Sequence, residues 1–255
     1  MIYDVQKASL LKRFSAFLLD FILLCVLTSG FAFLLAWITG INKYTDTLQG
    51  YYEQYEERYG VDFGISQEDY AKLTEEQKQL YDEAWKAVFL ENPDAMRAYN
   101  MTVALPMLIT TISILLAFLV FEFIIPLCLK NGQTVGKKVF SLGVVFKNSV
   151  RITPFALFVR AIFGKYTIGT MFPVLLIMLV LYGQMGFILA IVLLVALLVL
   201  QFALLIATKT NSFVHDALAN TVVVDMQSQM IFETTQELIS YKEEMSRLEA
   251  EKKDY

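Results

Sequence analysis

Residues 14–38 read FSAFLLDFILLCVLTSGFAFLLAWI, and this stretch decides the fold class of the 255-residue chain. Asp20 is its one charged residue, and Lys12 and Arg13 come just before it. At a rise of about 1.5 Å per residue, a helix over this stretch is roughly 37 Å long and can cross a hydrocarbon core of about 30 Å with some tilt. The apolar core is too long for a cleavable signal peptide. We therefore predict a transmembrane helix that remains as an anchor.

Asp20 is an unfavourable residue in such a helix. An ionised carboxylate near the centre of a bilayer costs at least about 2.5 to 3.5 kcal/mol, so we expect Asp20 to have a cationic partner, a water-filled cavity or a bound proton. Arg13 precedes it by seven residues, or about two helical turns, so both side chains share one helix face roughly 10 Å apart. Arg13 is thus close enough to act through its field or a bridging water.

Two further apolar blocks predict three more crossings. Residues 101–129 suit one span. Residues 169–207 are too long for one span and suit two, joined by a tight turn at residues 182–186, although one span plus a re-entrant segment stays open. Because 56% of all residues are hydrophobic, the sequence predicts an all-α polytopic membrane protein with about four transmembrane helices, an extracytoplasmic helical insertion and a cytoplasmic C-terminal helix.

Charged residues predict the orientation of these spans. Residues 41–100 contain thirteen acids against six bases, whereas no acid occurs between Glu122 and Asp216. Lys and Arg in short loops mark the cytoplasmic side. In a chain with four spans, the basic residues of the short loops all lie on one side of the membrane. They are Lys7, Lys12, Arg13, those of the loop at residues 130–165, and Lys209. We therefore expect both termini in the cytoplasm and residues 41–100 outside it.

Four parts follow along the chain. Residues 1–40 hold the cytoplasmic N-terminus and the first span, and residues 41–100 form an acidic extracytoplasmic helical segment. Residues 101–225 form a membrane core with three further spans and a basic cytoplasmic loop at 130–165. Residues 226–255 form a cytoplasmic amphipathic helix with heptad spacing. The outer segment can be a solvated helical hairpin, a gate for a substrate or a surface for a partner. The C-terminal helix can be a single solvated helix or can pair with another helix.

Two other acids join Asp20 as candidate site residues. Glu122 lies about eight residues before Lys130, hence roughly 12 Å into the membrane, at a depth similar to that of Asp20. Two carboxyls at one depth can share a proton or a cation, but Glu122 held neutral by a neighbouring helix is an equal alternative. We also predict an ion pair between Asp216 and Arg13, against the alternative that His215 and Asp216 form a capping or interhelical pair.

The basic loop opens with a glycine motif at residues 131–138, NGQTVGKK. The motif is not a P-loop, because three residues separate Gly132 from Gly136 and Lys137 is followed by Lys138. A turn whose bases contact anionic lipid headgroups explains it better. Residues 139–146 predict a short β-like or interfacial element. Residues 155–163, which contain Arg160 and are followed by Lys165, predict an interfacial stretch.

Three stretches together resemble the RDD family of integral membrane proteins: residues 12–20 (KRFSAFLLD), 131–138 (NGQTVGKK) and 215–224 (HDALANTVVV). The resemblance covers residues 7–39 and about 101–225. The arginine and two aspartates that name the family match Arg13, Asp20 and Asp216. Residues 41–100, the long 169–207 block and the C-terminal helix depart from the family pattern. The resemblance implies a membrane location and suggests transport of small ligands, with cation/proton antiport proposed for some members.

Two functions follow as hypotheses. In a cation/proton exchanger, Asp20 and Glu122 would bind cation or proton in alternation, Arg13 would tune their proton affinity and Asp216 would hold Arg13. The supporting residues are His215, Thr221, Arg160, Gly132, Thr134, Gly136 and Lys137. In the alternative, the chain is a non-enzymatic membrane scaffold or accessory subunit whose ion pairs order the helices.

Other classes of function lack a signature in the sequence. We find no nucleophile, metal or cofactor motif, so we expect no enzymatic activity, no cofactor and no metal site. The expected partners are anionic lipid headgroups at the basic loop, and a second copy or another membrane protein at the C-terminal helix or outer segment. We expect no nucleic-acid binding.

Overall fold

The computed structural model describes residue 5 and residues 7–181, 183, 185–208 and 212–253. Most of these residues are helical. The helices are α1 (Leu10–Thr39), α2 (Ile41–Tyr59), α3 (Gln67–Lys72), α4 (Glu75–Phe89), α5 (Pro93–Leu129), α6 (Val135–Val139), α7 (Pro154–Leu181), α8 (Phe187–Ala207), α9 (Val214–Leu218) and α10 (Thr235–Lys253). Two short strands are β1 (Leu142–Phe146) and β2 (Thr221–Asp225). The residues Tyr182, Gln184 and Lys209, used above for a turn and for orientation, lie outside the described residues.

Four of these helices are long and apolar enough to cross a membrane: α1, α5, α7 and α8. Large apolar side chains on them are exposed, such as Phe33 at 79% and Ile188 at 80%. Such exposure fits helices that face lipid tails rather than water. The predicted fold class, a helical membrane protein with about four spans, is confirmed.

The third span begins earlier than the sequence pattern predicted. Helix α7 starts at Pro154, where the Thr153 hydroxyl accepts a hydrogen bond from the N–H of Ala156 at 3.3 Å and so caps the helix. Residues 155–163 therefore belong to a candidate span and not to a separate interfacial stretch, and the basic loop ends near residue 153 instead of 165. Hydropathy missed this start because Arg160 and Lys165 lie within the first part of the helix.

Two helices contain π-helical segments, in which each N–H bonds five residues back. They are Leu119–Ile124 in α5 and Val159–Met171 in α7. Such segments are rare and often occur at functional sites. Glu122 lies in the first segment, and Arg160 and Lys165 lie in the second.

The chain divides into two compact units. The first comprises Met1–Phe31 with Ile114–Tyr255, and the second comprises Ala32–Ser113. In the first unit β1 and β2 pair antiparallel, with Leu142 opposite Asp225 and Phe146 opposite Thr221. Four consecutive residues of each strand are buried, because both faces of this small sheet are covered by apolar side chains.

The second unit contains the acidic segment that the sequence predicted to be helical. Helix α4 begins with a capping box in which Thr74 and Gln77 bond each other's backbone N–H groups. The side chain of Ser66 caps α3 by accepting from the N–H of Asp69. A core of Leu48, Val88, Phe89, Ala95 and Ala98 holds the helices of this unit together.

Candidate functional site

Ionisable side chains from five helices, α1, α5, α6, α7 and α9, converge inside the first unit. This buried charge cluster consists of Arg13, Asp20, Glu122, Lys137, Arg160, Lys165, His215 and Asp216. Of these, Asp20, Glu122, Lys137, Arg160 and Asp216 are buried. Charged groups are rarely buried unless they are paired, so the partners of each charge decide what the cluster can do.

Asp20 is bound by the glycine loop. One carboxylate oxygen, Oδ2, accepts a short hydrogen bond from the hydroxyl of Thr134, and Oδ1 accepts from the backbone N–H of Gly136 at 2.7 Å. The ammonium of Lys137 lies 4.0 Å from Oδ2. Asp20 is only 6% exposed. Its direct partners are therefore this loop, and neither Arg13 nor Glu122, the two companions that the sequence suggested.

The loop can reach Asp20 because of its small residues. A Cβ on Gly136 would overlap the carbonyl oxygen of Ala16 and the carboxylate of Asp20. Gly132 has a φ of +60°, which side chains disfavour, and its Cα faces Val144 closely enough that a Cβ would lie 3.0 Å from the Cβ of Val144. The motif at 131–138 thus serves to bring the backbone N–H of Gly136 against α1.

Lys137 is the titratable member of the loop. It is 7% exposed, and its Nζ donates to the hydroxyl of Thr134 at 3.0 Å. Burial and the nearby Lys165 lower the pKa of Lys137 to about 7, although Glu122 and Asp20 act to raise it. Lys137 can therefore gain or lose its proton near neutral pH.

Glu122 and Lys165 connect α5 to α7. The Nζ of Lys165 lies 2.5 Å from Oε1 of Glu122, and this carboxylate is 7% exposed. Glu122 was predicted as a companion of Asp20 or as a neutral group bonded to a neighbouring helix. In the structure it forms an ion pair with Lys165, for which the sequence pattern predicts a place at the edge of an interfacial stretch.

Asp216 is fully buried and binds Arg160. The guanidinium of Arg160 donates to Oδ1 from Nε at 3.0 Å and from Nη2 at 2.7 Å. The predicted partner Arg13 is present but more distant, with its Nη2 3.6 Å from Oδ2. Burial alone would raise the pKa of Asp216, but the charge of Arg160 outweighs it and lowers that pKa well below its usual range.

The second oxygen of Asp216 is less well satisfied. Oδ2 accepts no hydrogen bond from the described residues, and its neighbours are Arg13 at 3.6 Å and Nε2 of His215 at 3.5 Å. Burial lowers the pKa of His215 to about 3, so this imidazole is neutral at physiological pH. The Thr221 hydroxyl donates to Oδ1 at 3.3 Å and adds a link to β2.

The charges of the cluster nearly balance. Four basic side chains, Arg13, Lys137, Arg160 and Lys165, face the three carboxylates of Asp20, Glu122 and Asp216. The cluster therefore carries one excess positive charge when Lys137 is protonated and none when Lys137 is neutral. Proton loss from this one lysine changes the cluster from cationic to neutral.

Comparison with known proteins gives a family. The sequence model of the RDD family matches residues 7–220. The chain belongs to the RDD family. No curated protein and no solved structure matches it. Arg13, Asp20 and Asp216, which match the arginine and two aspartates that name the family, all lie in or beside buried ion pairs of the charge cluster.

Sequence reasoning found most of the cluster of this RDD protein and missed one part. Thr134, Gly136 and Lys137 contact Asp20, whereas Gly132 shapes the loop from a distance. Lys165 was not among the candidate residues. The sequence contained an indication of its role, because Arg160 and Lys165 are five residues apart in a region without acids. If these two bases are buried, they require carboxylates from other helices.

Proposed function

We propose that this RDD protein transports a small ligand across the membrane, and that it exchanges a monovalent cation for a proton. One observation carries the proposal: Lys137, with a pKa of about 7, is buried among the carboxylates of Asp20 and Glu122. A buried lysine that releases its proton leaves negative oxygens that have lost a cationic neighbour. A monovalent cation restores that charge.

The exchange step is electroneutral. When Lys137 is protonated, its ammonium supplies the positive charge near Asp20, at 4.0 Å from Oδ2. When Lys137 is neutral, a monovalent cation takes this role, with oxygens of Asp20 and Thr134 as ligands. Protonated lysine and bound cation thus exclude each other, which is the condition for one-for-one exchange. Arg13 and Arg160 hold Asp216 and keep the helices in place.

We also propose an orientation of the chain in the membrane. Both termini and the loop between α5 and α7 would face the cytoplasm, where bases concentrate in short loops. Residues 41–100 would then be extracytoplasmic. Anionic headgroups would contact exposed bases of the loop, such as Lys147.

Flux in proteoliposomes tests the transport function. The full-length protein is reconstituted with a pH-sensitive dye inside, and an outward or inward gradient of Na⁺ or K⁺ is applied. We expect proton movement against the cation gradient, and its loss in Asp20→Asn. Lys138→Met serves as a control, because Lys138 is exposed and lies next to Lys137. Flux in Asp20→Asn equal to that of the wild type would contradict the proposal.

A second candidate is a non-enzymatic scaffold or accessory subunit. The observation that favours it is the complete pairing of Asp20, which is 6% exposed and bonded to both Thr134 and Gly136. A dry, paired carboxylate suits a role in ordering helices. Purification in mild detergent should then give a stoichiometric membrane-protein partner or a homodimer, and a monomer with cation-coupled flux would count against it. Both candidates need neither cofactor nor enzymatic chemistry.

A further inference from the structure

A cavity of about 590 Å³ lies in the unit formed by Ala32–Ser113. The aromatic side chains that line it are Tyr52, Phe63, Tyr81, Trp85, Phe89 and Tyr99. Five ring contacts connect these six residues, with centroid distances from 4.9 to 5.9 Å. Three of the contacts are edge-to-face, at interplanar angles of 67° to 73°. None of the five contacts is a parallel stack, so rings of several orientations line the cavity.

Two charged residues line the same cavity, and both are acidic. They are Glu56 and Asp62, and one oxygen of each accepts a backbone N–H at 2.7 Å, which fixes the carboxylate in place. Burial raises the pKa of the Tyr81 hydroxyl, and the carboxylates of Asp62, Asp82 and Glu56 raise it further. The negative field thus reaches the aromatic wall. The surrounding residues 41–100 contribute seven more acids than bases.

We propose that this cavity binds a small organic cation that carries a quaternary or alkylated ammonium group. Ring faces attract such a cation, and the apolar ring surface accepts its alkyl substituents. The two carboxylates favour a positive charge and disfavour an anion. A bare metal ion fits less well, because hard cations such as Ca²⁺ require six or more oxygen ligands. The cavity and the buried charge cluster belong to different units, so this proposal uses none of the residues of the proposed exchange site.

Fluorescence of the full-length protein in detergent tests the proposal. The chain has two tryptophans, and Trp37→Phe leaves Trp85 in the cavity as the reporter. The probes are choline chloride and its uncharged isostere 3,3-dimethylbutan-1-ol, at constant ionic strength set with NaCl. We expect a saturable signal with choline at a concentration about tenfold or more below that of the alcohol. Equal responses to both probes, or no response beyond that of NaCl, would overturn the proposal.

Variants separate the aromatic wall from general effects on folding. Tyr81→Leu should weaken choline binding about fivefold or more, whereas Tyr81→Phe keeps the ring and should stay within about twofold. Tyr44→Leu removes an aromatic ring from α2 that does not line the cavity, and it should also stay within about twofold. Circular dichroism and thermal melting check that each variant is folded. If Tyr81→Leu binds choline as Tyr81→Phe does, no ring at this position contributes and the proposal fails.

Discussion

The backbone N–H of Gly136 donates a hydrogen bond of 2.7 Å to Oδ1 of Asp20, across 116 residues of chain. This bond attaches α6, which follows α5, to the first half of α1. Because the contact leaves no room for a Cβ at residue 136, it makes the stability of the protein sensitive to the smallest possible substitution there.

Gly136→Ala should destabilise the protein by about 2 kcal/mol or more, since overpacking at a rigid contact typically costs about 1 to 3 kcal/mol. Gly30→Ala is the matched control, because Gly30 lies in α1 and a Cβ there would meet nothing within 4 Å. Thermal melting of both variants in detergent measures the difference. Similar melting temperatures for the two variants would contradict the contact.

Thr134 has two roles that a second pair of variants can resolve. Its hydroxyl donates to Asp20 and caps α6 by accepting from the N–H of Lys137 at 3.4 Å. Thr134→Val keeps the shape and removes these two bonds and the one that Nζ of Lys137 donates to the hydroxyl, so we expect a loss of about 2 kcal/mol. Thr134→Ser keeps the hydroxyl and should lose less than about 1 kcal/mol. Denaturant titration in mixed micelles gives these values, and equal losses would show that the hydroxyl is not used.

Asp216 depends on Arg160 more than on Arg13. Arg160→Met leaves a fully buried carboxylate whose nearest cation is 3.6 Å away, so we expect a loss of about 3 kcal/mol or more. The control is Arg151→Met, because Arg151 pairs with Glu233, whose side chain is 66% exposed, and such pairs contribute less than about 1 kcal/mol. A smaller effect for Arg160→Met than for Arg151→Met in the unfolding free energy would refute this ranking.

The pH dependence of stability should report Lys137. Its pKa is about 7 in the folded protein and 10.5 in the unfolded chain. Between these values the unfolded chain holds a proton that the folded protein has lost, so stability rises with pH from about 7 towards 10.5. Below about pH 7 both states are protonated and the dependence vanishes.

Lys137→Met should remove the rise of stability with pH. Lys138→Met should keep it, because Lys138 is exposed. The slope lost with Lys137→Met is at most about 1.4 kcal/mol per pH unit. Melting temperatures between pH 6 and pH 10 provide the comparison. An unchanged slope in Lys137→Met would show that the lysine is charged over the whole range.

Much of the fold could be predicted, because the length of a run of apolar residues can be read directly from the local sequence. Residues 14–38 and 101–129 lie within α1 and α5, and residues 169–207 cover the end of α7 and all of α8. The start of α7 could not be read from hydropathy, because Arg160 and Lys165 are paired with carboxylates that are distant in sequence. Strand β2 contains the β-branched residues Thr221-Val-Val-Val, which favour a strand, although hydropathy alone does not distinguish it from a helix.

The site was predicted in part for a similar reason. The free-energy cost of placing a charged carboxylate in a membrane identified Asp20, Glu122 and Asp216 as residues that require partners. It could not identify the partners, since Thr134 and Gly136 are more than a hundred residues from Asp20 and neither carries a charge. The pair of Arg13 with Asp216 was predicted and is present, but Arg160 lies nearer to Asp216.

Proton release upon cation binding tests the exchange at Lys137 most directly. Purified protein in weakly buffered detergent at pH 6.5, where most Lys137 is protonated, is mixed with NaCl or KCl. MgCl₂ at equal ionic strength is the control, because the proposed site takes a monovalent cation. We expect release of up to about one proton per chain with at least one of the two monovalent salts, and none with Lys137→Met. Lys138→Met should release as the wild type does. No release from the wild type with either salt, or release that persists in Lys137→Met, would contradict the account.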